Sequence, residues 1–239
     1  MDNYIKEVIF ENKQELYEDL AKLSENIKKI TVKEKPFLIE FTGTGRSGKT
    51  TAIDLIQDVF IKNGLKVLVV DEEYVKVTKE INHNRNKKMN VDSLQYTNNV
   101  IEEKLTIYEN TSIQDYDIII YDRGINDEFV WLDVFNATQK DIEEYDKKLE
   151  KKYIDLLIIM TCSSDTSMKR KYLNSLSIMP TKWTNKETME NFLKGIEKSE
   201  KYFDNHCKNI YKINTDEIDK VTIALNIANK IIELIKKAE

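Results

Sequence analysis

An α/β fold with a parallel sheet covered on both faces is what the 239-residue sequence predicts. Three observations carry it. Short, nearly continuous apolar runs recur along the chain, as strands buried on both faces require. Segments of helical periodicity separate those runs, which is the alternation of a parallel sheet with crossover helices. The first run also leads directly into a glycine-rich loop followed by a helix.

The elements follow in order. Residues 11–30 are predicted helical, with Leu16, Leu20, Leu23, Ile27 and Ile30 at alternating spacings of four and three. That narrow seam packs on the core or on a partner subunit, as a homodimer would need. Lys33-Glu34-Lys35-Pro36 closes this N-terminal extension, residues 1–35, and opens a domain spanning 36–239. Its first strand is Phe37-Leu38-Ile39-Glu40-Phe41. The helix after the loop carries Ile53, Leu55, Ile56, Val59 and Phe60 and stops at Asn63-Gly64, where glycine supplies a left-handed C-cap. A second strand, Leu65 to Val70, ends in Asp71-Glu72-Glu73, and ligands of such sheets bind beyond the C-terminal ends of strands.

A polar, Asn-rich stretch from Tyr74 to Asn90 holds Lys79, His83, Arg85, Lys87 and Lys88, either as a solvated loop or lid or as a source of phosphate contacts. Residues 91–110 are predicted helical, turning Leu94, Val100, Ile101, Leu105 and Tyr108 inward. The run Asp117 to Tyr121 is a third strand and delivers Asp122 and Arg123 at its end. A helix from Asn126 to Phe135 follows, in which Trp131 reads as core more readily than as a substrate platform. After a charged helix from Lys140 to Lys151 comes a fourth strand, Ile154 to Met160, and then a helix capped by Ser163-Ser164-Asp165 that carries Lys169, Arg170 and Lys171. The stretch from Asn174 has Pro180 and no clear period. A helix at 186–202, a strand at Asn209 to Asn214 and a long apolar-striped helix from Val221 to Ile235 complete the chain.

The loop Gly43-Thr44-Gly45-Arg46-Ser47-Gly48-Lys49-Thr50 fits G-x-x-x-x-G-K-[ST], the phosphate-cradling Walker A sequence of P-loop nucleoside triphosphatases. Three of the chain's six glycines fall in these eight residues, so composition alone does not account for the match. Without Cβ atoms the backbone wraps closely enough for its N–H groups to meet phosphate oxygens, reinforced by the helix N-terminus. Lys49 reaches the β- and γ-phosphates in such a loop, and the Thr50 hydroxyl ligands Mg²⁺. Asp122, an acid at the end of an apolar strand in the same sheet, is the expected second metal group.

Composition sets bounds. With 33% charged residues and a net charge of −5, the surface is ionic and mildly acidic, which argues against broad nucleic-acid or membrane-surface binding. Cys162, read as falling in an apolar strand, and Cys207 lack metal-ligand spacing and read as buried reduced thiols of a cytoplasmic protein. No run approaches the length of a membrane span, and the first residues carry no signal for export. A GTPase is disfavoured, because Asn185-Lys186-Glu187-Thr188 misses the Asp of the base-reading motif. A transport ATPase is disfavoured by the lack of Leu-Ser-Gly-Gly-Gln.

Together GTGRSGKTT (Gly43 to Thr51), DIIIYDRG and DLLIIMTCSSDTSMKRK resemble the thymidylate kinase-like group of P-loop nucleoside and nucleotide kinases, over residues 36–239. The resemblance implies a three-layer fold with a five-stranded parallel sheet, ATP and Mg²⁺ on the loop, an acceptor region at about 72–112 and a lid at about 163–186. It casts Asp122 and Arg123 as the pair facing acceptor and phosphates, Arg170 as the lid arginine approaching the transferring phosphate, and Glu73, or Glu72, as the general base. The expected reaction is transfer of the γ-phosphate of ATP to a nucleoside or nucleoside monophosphate. Thymidylate kinases carry Glu-Pro-Gly-Gly after the second strand, whereas this chain has Asp-Glu-Glu-Tyr-Val-Lys, so the acceptor is open between those two. The rival readings are a small-molecule or polynucleotide 5′-hydroxyl kinase and a nucleotide-binding regulatory protein with weak ATPase activity.

Overall fold

The computed structural model describes residues 35–71, 94–150, 152–173 and 186–237, the side chains of 94–97 and 171–173 excepted. In chain order its elements are β1 (Phe37–Gly43), α1 (Lys49–Lys62), β2 (Val67–Val70), α2 (Leu94–Thr111), β3 (Ile118–Asp122) and α3 (Asp127–Val134). They continue with α4 (Gln139–Lys148), β4 (Leu156–Thr161), α5 (Ser164–Leu173), α6 (Lys186–His206), β5 (Ile210–Asn214) and α7 (Lys220–Lys237). The predicted N-terminal helix lies outside the described residues.

The five strands form one parallel sheet in the order β2-β3-β1-β4-β5. Parallel neighbours need crossover connections, and the helices that make them cover both faces. Along β1 the side chains alternate between the faces. Ile39 and Phe41 pack with Ile118, Ile120 and Ile158 against α1 and α7, through Ile53, Ile56, Phe60, Ile227 and Ile231. Leu38 packs with Ile119, Leu157 and Ile159 on the other face, against Ile101 and Leu105 of α2, Phe129 and Leu132 of α3, and Phe192 and Phe203 of α6. The result is the three-layer architecture expected. Each large apolar side chain buried in it contributes about 1.5–3 kcal/mol relative to exposure.

Two positions of β1 break that apolar pattern. Glu40 and Thr42 fall on the same face as Leu38 and are fully buried. Their partners, described below, organise the site.

Local signals set the helix ends. At the end of α1, Gly64 has φ 89°, its N–H reaches Ile61 O at 3.0 Å, and the Leu65 N–H reaches Phe60 O at 3.1 Å. This is the paired bonding of a Schellman stop, and because a Cβ at Gly64 would meet nothing within 4 Å, glycine is needed there only for its φ. Thr138 and Asp141 form a reciprocal capping box on α4. The Ser163 hydroxyl accepts from Thr166 N at 3.1 Å and so caps α5, as expected. Several boundaries differ from the sequence reading: β2 begins at Val67, α4 spans Gln139–Lys148 and α6 runs on to His206. β4 begins at Leu156, because Ile154 makes only an isolated bridge to Cys207, and Cys162 sits just past the strand's last residue, Thr161. Among the described residues no helix is long and apolar enough to cross a membrane.

Candidate active site

The phosphate loop leaves β1 alongside β4. Gly43 has φ 132°, and a Cβ there would lie 1.8 Å from the Met160 carbonyl oxygen, so the chain can turn only without a side chain. Thr44 is then pinned to the exit of β4: its N–H donates to Met160 O at 3.1 Å, and its hydroxyl accepts from Cys162 N at 3.0 Å. Helix α5 holds the outer turn, with Ser167 Oγ donating to Gly45 O at 3.0 Å and Arg170 Nη1 to Arg46 O at 2.9 Å. Lys49 Nζ closes the inner side, donating to Gly43 O at 3.1 Å and Thr44 O at 2.9 Å. Gly48, at φ 95°, turns the chain into α1, whose N-terminus carries the positive end of the helix dipole.

These residues fit a polyphosphate. The loop carbonyls of Gly43, Thr44, Gly45 and Arg46 are all committed to side-chain donors, the arrangement in which a loop can turn N–H groups to an anion. The Ser47 hydroxyl is fully buried without a hydrogen-bond partner, which in a phosphate-binding loop marks a group awaiting one. Thr50 Oγ1 donates to Asp122 Oδ2 at 3.2 Å, bringing together a hydroxyl and a carboxylate at the mouth of the loop. Among the described residues no group of three or more His, Cys, Asp or Glu could hold a metal ion.

Beside the loop, on the α2/α3 face, lies a buried charge network. Arg123 has φ 62°, its N–H donates to Phe41 O at 2.9 Å, and its guanidinium meets Asp127 at 3.2 Å. The same guanidinium lies 5.5 Å from the Phe192 ring centre and 5.8 Å from that of Trp131. Asp127 also accepts from Thr42 Oγ1 and, at 2.8 Å, from Trp131 Nε1. Burial would raise its carboxyl, but Arg123, Lys104 and Thr42 together hold it below the usual range. Glu40 accepts from Asn126 N, Asn126 Nδ2 and Asp127 N at 2.9–3.1 Å. Its burial still dominates and pushes the carboxyl up to about 7. Lys104 of α2 pairs with Glu128. Burial holds Glu128 above the usual carboxylate range; it would lower Lys104, but Glu128 and Asp127 outweigh it and raise the ammonium.

A small cleft opens at the C-terminal ends of β2 and β3, lined by Val70, Asp71, Lys104, Ile107 and the segment Tyr121 to Ile125. It adjoins Asp122 and Arg123, which line it themselves.

The structure therefore brings Gly43 to Thr50, Asp122 and Arg123 together around one end of the sheet. Thr51 is on α1 and exposed. Arg170 sits behind the loop, its second nitrogen donating to Thr215 O at 2.5 Å and its first also to Thr215 Oγ1 at 3.1 Å. Lys169 is exposed. Glu72, Glu73, the basic stretch from Lys79 to Lys88 and residues 174–185 of the expected lid lie outside the described residues. The sequence reading did not single out Glu40, Thr42, Lys104, Asn126, Asp127 or Glu128. Only Glu40 left a visible signal, an acid inside an otherwise apolar strand.

A family model described as AAA domain matches residues 38–174, more than half of the chain. The chain belongs to this AAA domain family. The match runs from β1 into the end of α5 and so takes in the loop, Asp122, Arg123 and Arg170 of the AAA domain. No curated protein matches the chain in sequence. Among solved structures, thymidylate kinase from Ehrlichia chaffeensis is similar, at 18% identity and a TM-score of 0.55 over 81% of this chain and 97% of that one. The likeness is one of fold: an α/β architecture with a five-stranded parallel sheet flanked by helices, consistent with that of P-loop kinases.

Proposed function

We propose that the chain is an ATP- and Mg²⁺-dependent phosphotransferase that moves the γ-phosphate of ATP to a nucleoside or nucleoside monophosphate. The observation that carries this reading is the convergence of Lys49, the Thr50–Asp122 pair and Arg123 on one end of the sheet, at the C-terminal ends of the strands where ligands of such sheets bind. Phosphoryl transfer needs little covalent help; it is catalysed by positioning and by countering charge on the transferring group.

The residues divide that work. The loop backbone and α1 N-terminus bind the polyphosphate, and Lys49 exchanges its Gly43 and Thr44 carbonyl partners for β- and γ-oxygens. Thr50 and Asp122 would hold Mg²⁺, which would supply charge neutralisation for the transferring phosphate. Arg123 faces the acceptor side, oriented by Asp127. If the acceptor is a hydroxyl, Asp122 or Glu73 takes its proton; a phosphate acceptor needs no strong base.

One observation orders the two acceptor classes. Lys104 and Arg123, the cations lining the described cleft, are each paired with a buried carboxylate, Glu128 and Asp127. A phosphate acceptor would have to compete with those carboxylates, so a hydroxyl acceptor is favoured. The test is ADP production from ATP and Mg²⁺ across a panel of nucleosides and nucleoside monophosphates, with a no-acceptor control and a Lys49→Ala control. Acceptor-dependent turnover that Lys49→Ala lacks is the expected result. A flat panel with nucleotide binding intact would overturn the phosphotransferase reading in favour of a regulatory nucleotide binder.

A further inference from the structure

A carboxylate in the middle strand of a parallel sheet is expensive, since taking its charge out of water costs several kcal/mol unless hydrogen bonds replace the lost hydration. Leu38, two residues earlier on the same face, shows that an apolar side chain packs there. Glu40 instead spends all of its visible bonding capacity on the turn that follows β3. Oε2 accepts from Asn126 N at 3.1 Å and Nδ2 at 3.0 Å, and Oε1 accepts from Asp127 N at 2.9 Å. The turn rides directly on the carboxylate, because a Cβ at Gly124 would lie 2.7 Å from Glu40 Cδ. Asp127, fixed by this contact at the start of α3, is the residue that holds Arg123. Thr42, next on the same face of β1, donates to Asp127 as well and precedes the first glycine of the phosphate loop.

We propose that Glu40 is a positioning residue for Arg123. It locks the Asp122–Asp127 turn to β1 and, through Asp127, fixes the guanidinium relative to the phosphate loop that grows from the same strand. This rests on the phosphotransferase reading for its consequence, since Arg123 is the group positioned. The charged and titratable groups that interact with Glu40 are Asp127 on α3, Lys104 and Tyr108 on α2, Tyr121 on β3, Tyr145 on α4 and Cys207 just after α6.

The experiment compares the parent protein with Glu40→Gln, which keeps the shape but presents an NH₂ where a backbone N–H must be accepted. Three quantities are read: affinity for a non-hydrolysable ATP analogue by calorimetry, kcat and KM with the best acceptor of the panel, and the Trp131 indole N–H chemical shift, assigned with Trp131→Phe. A purely structural role would lower stability without moving the last. We expect analogue affinity within about threefold, kcat reduced about tenfold or more, and a shifted Trp131 resonance as Asp127 turns away. A kcat within about twofold of the parent, or an unmoved Trp131 resonance, would overturn the assignment. Should Glu40→Gln fail to fold, Asn126→Ala removes only the Nδ2 donor and is read on the same three quantities. If no acceptor supports turnover in the parent, the phosphotransferase reading fails, while the Trp131 resonance still decides whether Glu40 positions this turn.

Discussion

The Thr50 hydroxyl lies 3.2 Å from an Asp122 carboxylate oxygen, joining the first turn of α1 to the last residue of β3 across 72 positions of sequence. The pair exists because β1 and β3 are neighbours with Phe41 opposite Asp122. A strand that ends level with the phosphate loop therefore places its last side chain beside the helix the loop begins. If this pair holds Mg²⁺, Asp122→Asn should raise the magnesium needed for half-maximal turnover by about tenfold to a hundredfold, as loss of a metal-orienting group does. A magnesium titration of turnover checks it, and an unchanged midpoint removes Asp122 from the metal site.

Lys49 makes a second test. Its ammonium is buried and donates to Gly43 O and Thr44 O, so it is held inside the loop before any phosphate arrives. Lys49→Ala removes a charge-assisted contact worth about 1.5–3 kcal/mol, which is roughly a tenfold to hundredfold loss of nucleotide affinity. Calorimetry with ATP measures it directly. Equal affinity in variant and parent would count against the loop as the nucleotide site.

The position of Arg170 separates two roles by kinetics. The resemblance casts it on the transferring phosphate, whereas in the structure its guanidinium bonds Arg46 O, Thr215 O and Thr215 Oγ1. A forked donor that bridges two backbone segments cannot be replaced by a point charge. Arg170→Lys should therefore act mainly on the loop, raising KM for ATP by about tenfold with kcat changed less. A large fall in kcat at constant KM would instead place Arg170 on the transition state.

The sheet was legible because its strands are apolar runs without competitors, such as Ile118-Ile119-Ile120, and because Gly43, Gly48 and Gly64 mark backbone turns that only glycine makes easily. The loop, Thr50 and Asp122 were legible because a motif fixes their spacing. The network around Arg123 was not. Lys104 and Glu128 are 24 residues apart, and Glu40 and Asp127 are 87 apart, and nothing local pairs them. Their pairing depends on how α2 and α3 pack on one face of the sheet, which periodicity alone does not determine. Asp127-Glu128 reads in sequence as an ordinary acidic first turn of a helix, although both side chains are buried.

The carboxyl of Glu40 ties this network to stability as well as geometry. Its ordinary value is 4.5, and burial, acting against the Asn126 and Asp127 hydrogen bonds, pushes it up to about 7 in the fold. Between those values the folded protein keeps a proton that the unfolded chain has released. The group's favourable contribution is therefore fully present below about 4.5 and is lost as pH rises through about 7. The shift corresponds to about 3 kcal/mol between those limits. Glu40→Gln has no such proton to release, so the stability of the parent relative to this variant should fall as pH rises from 5 to 8, by roughly that amount. Guanidinium unfolding of both proteins across this range checks it, and two curves that stay parallel with pH would show that Glu40 titrates alike in the folded and unfolded chain.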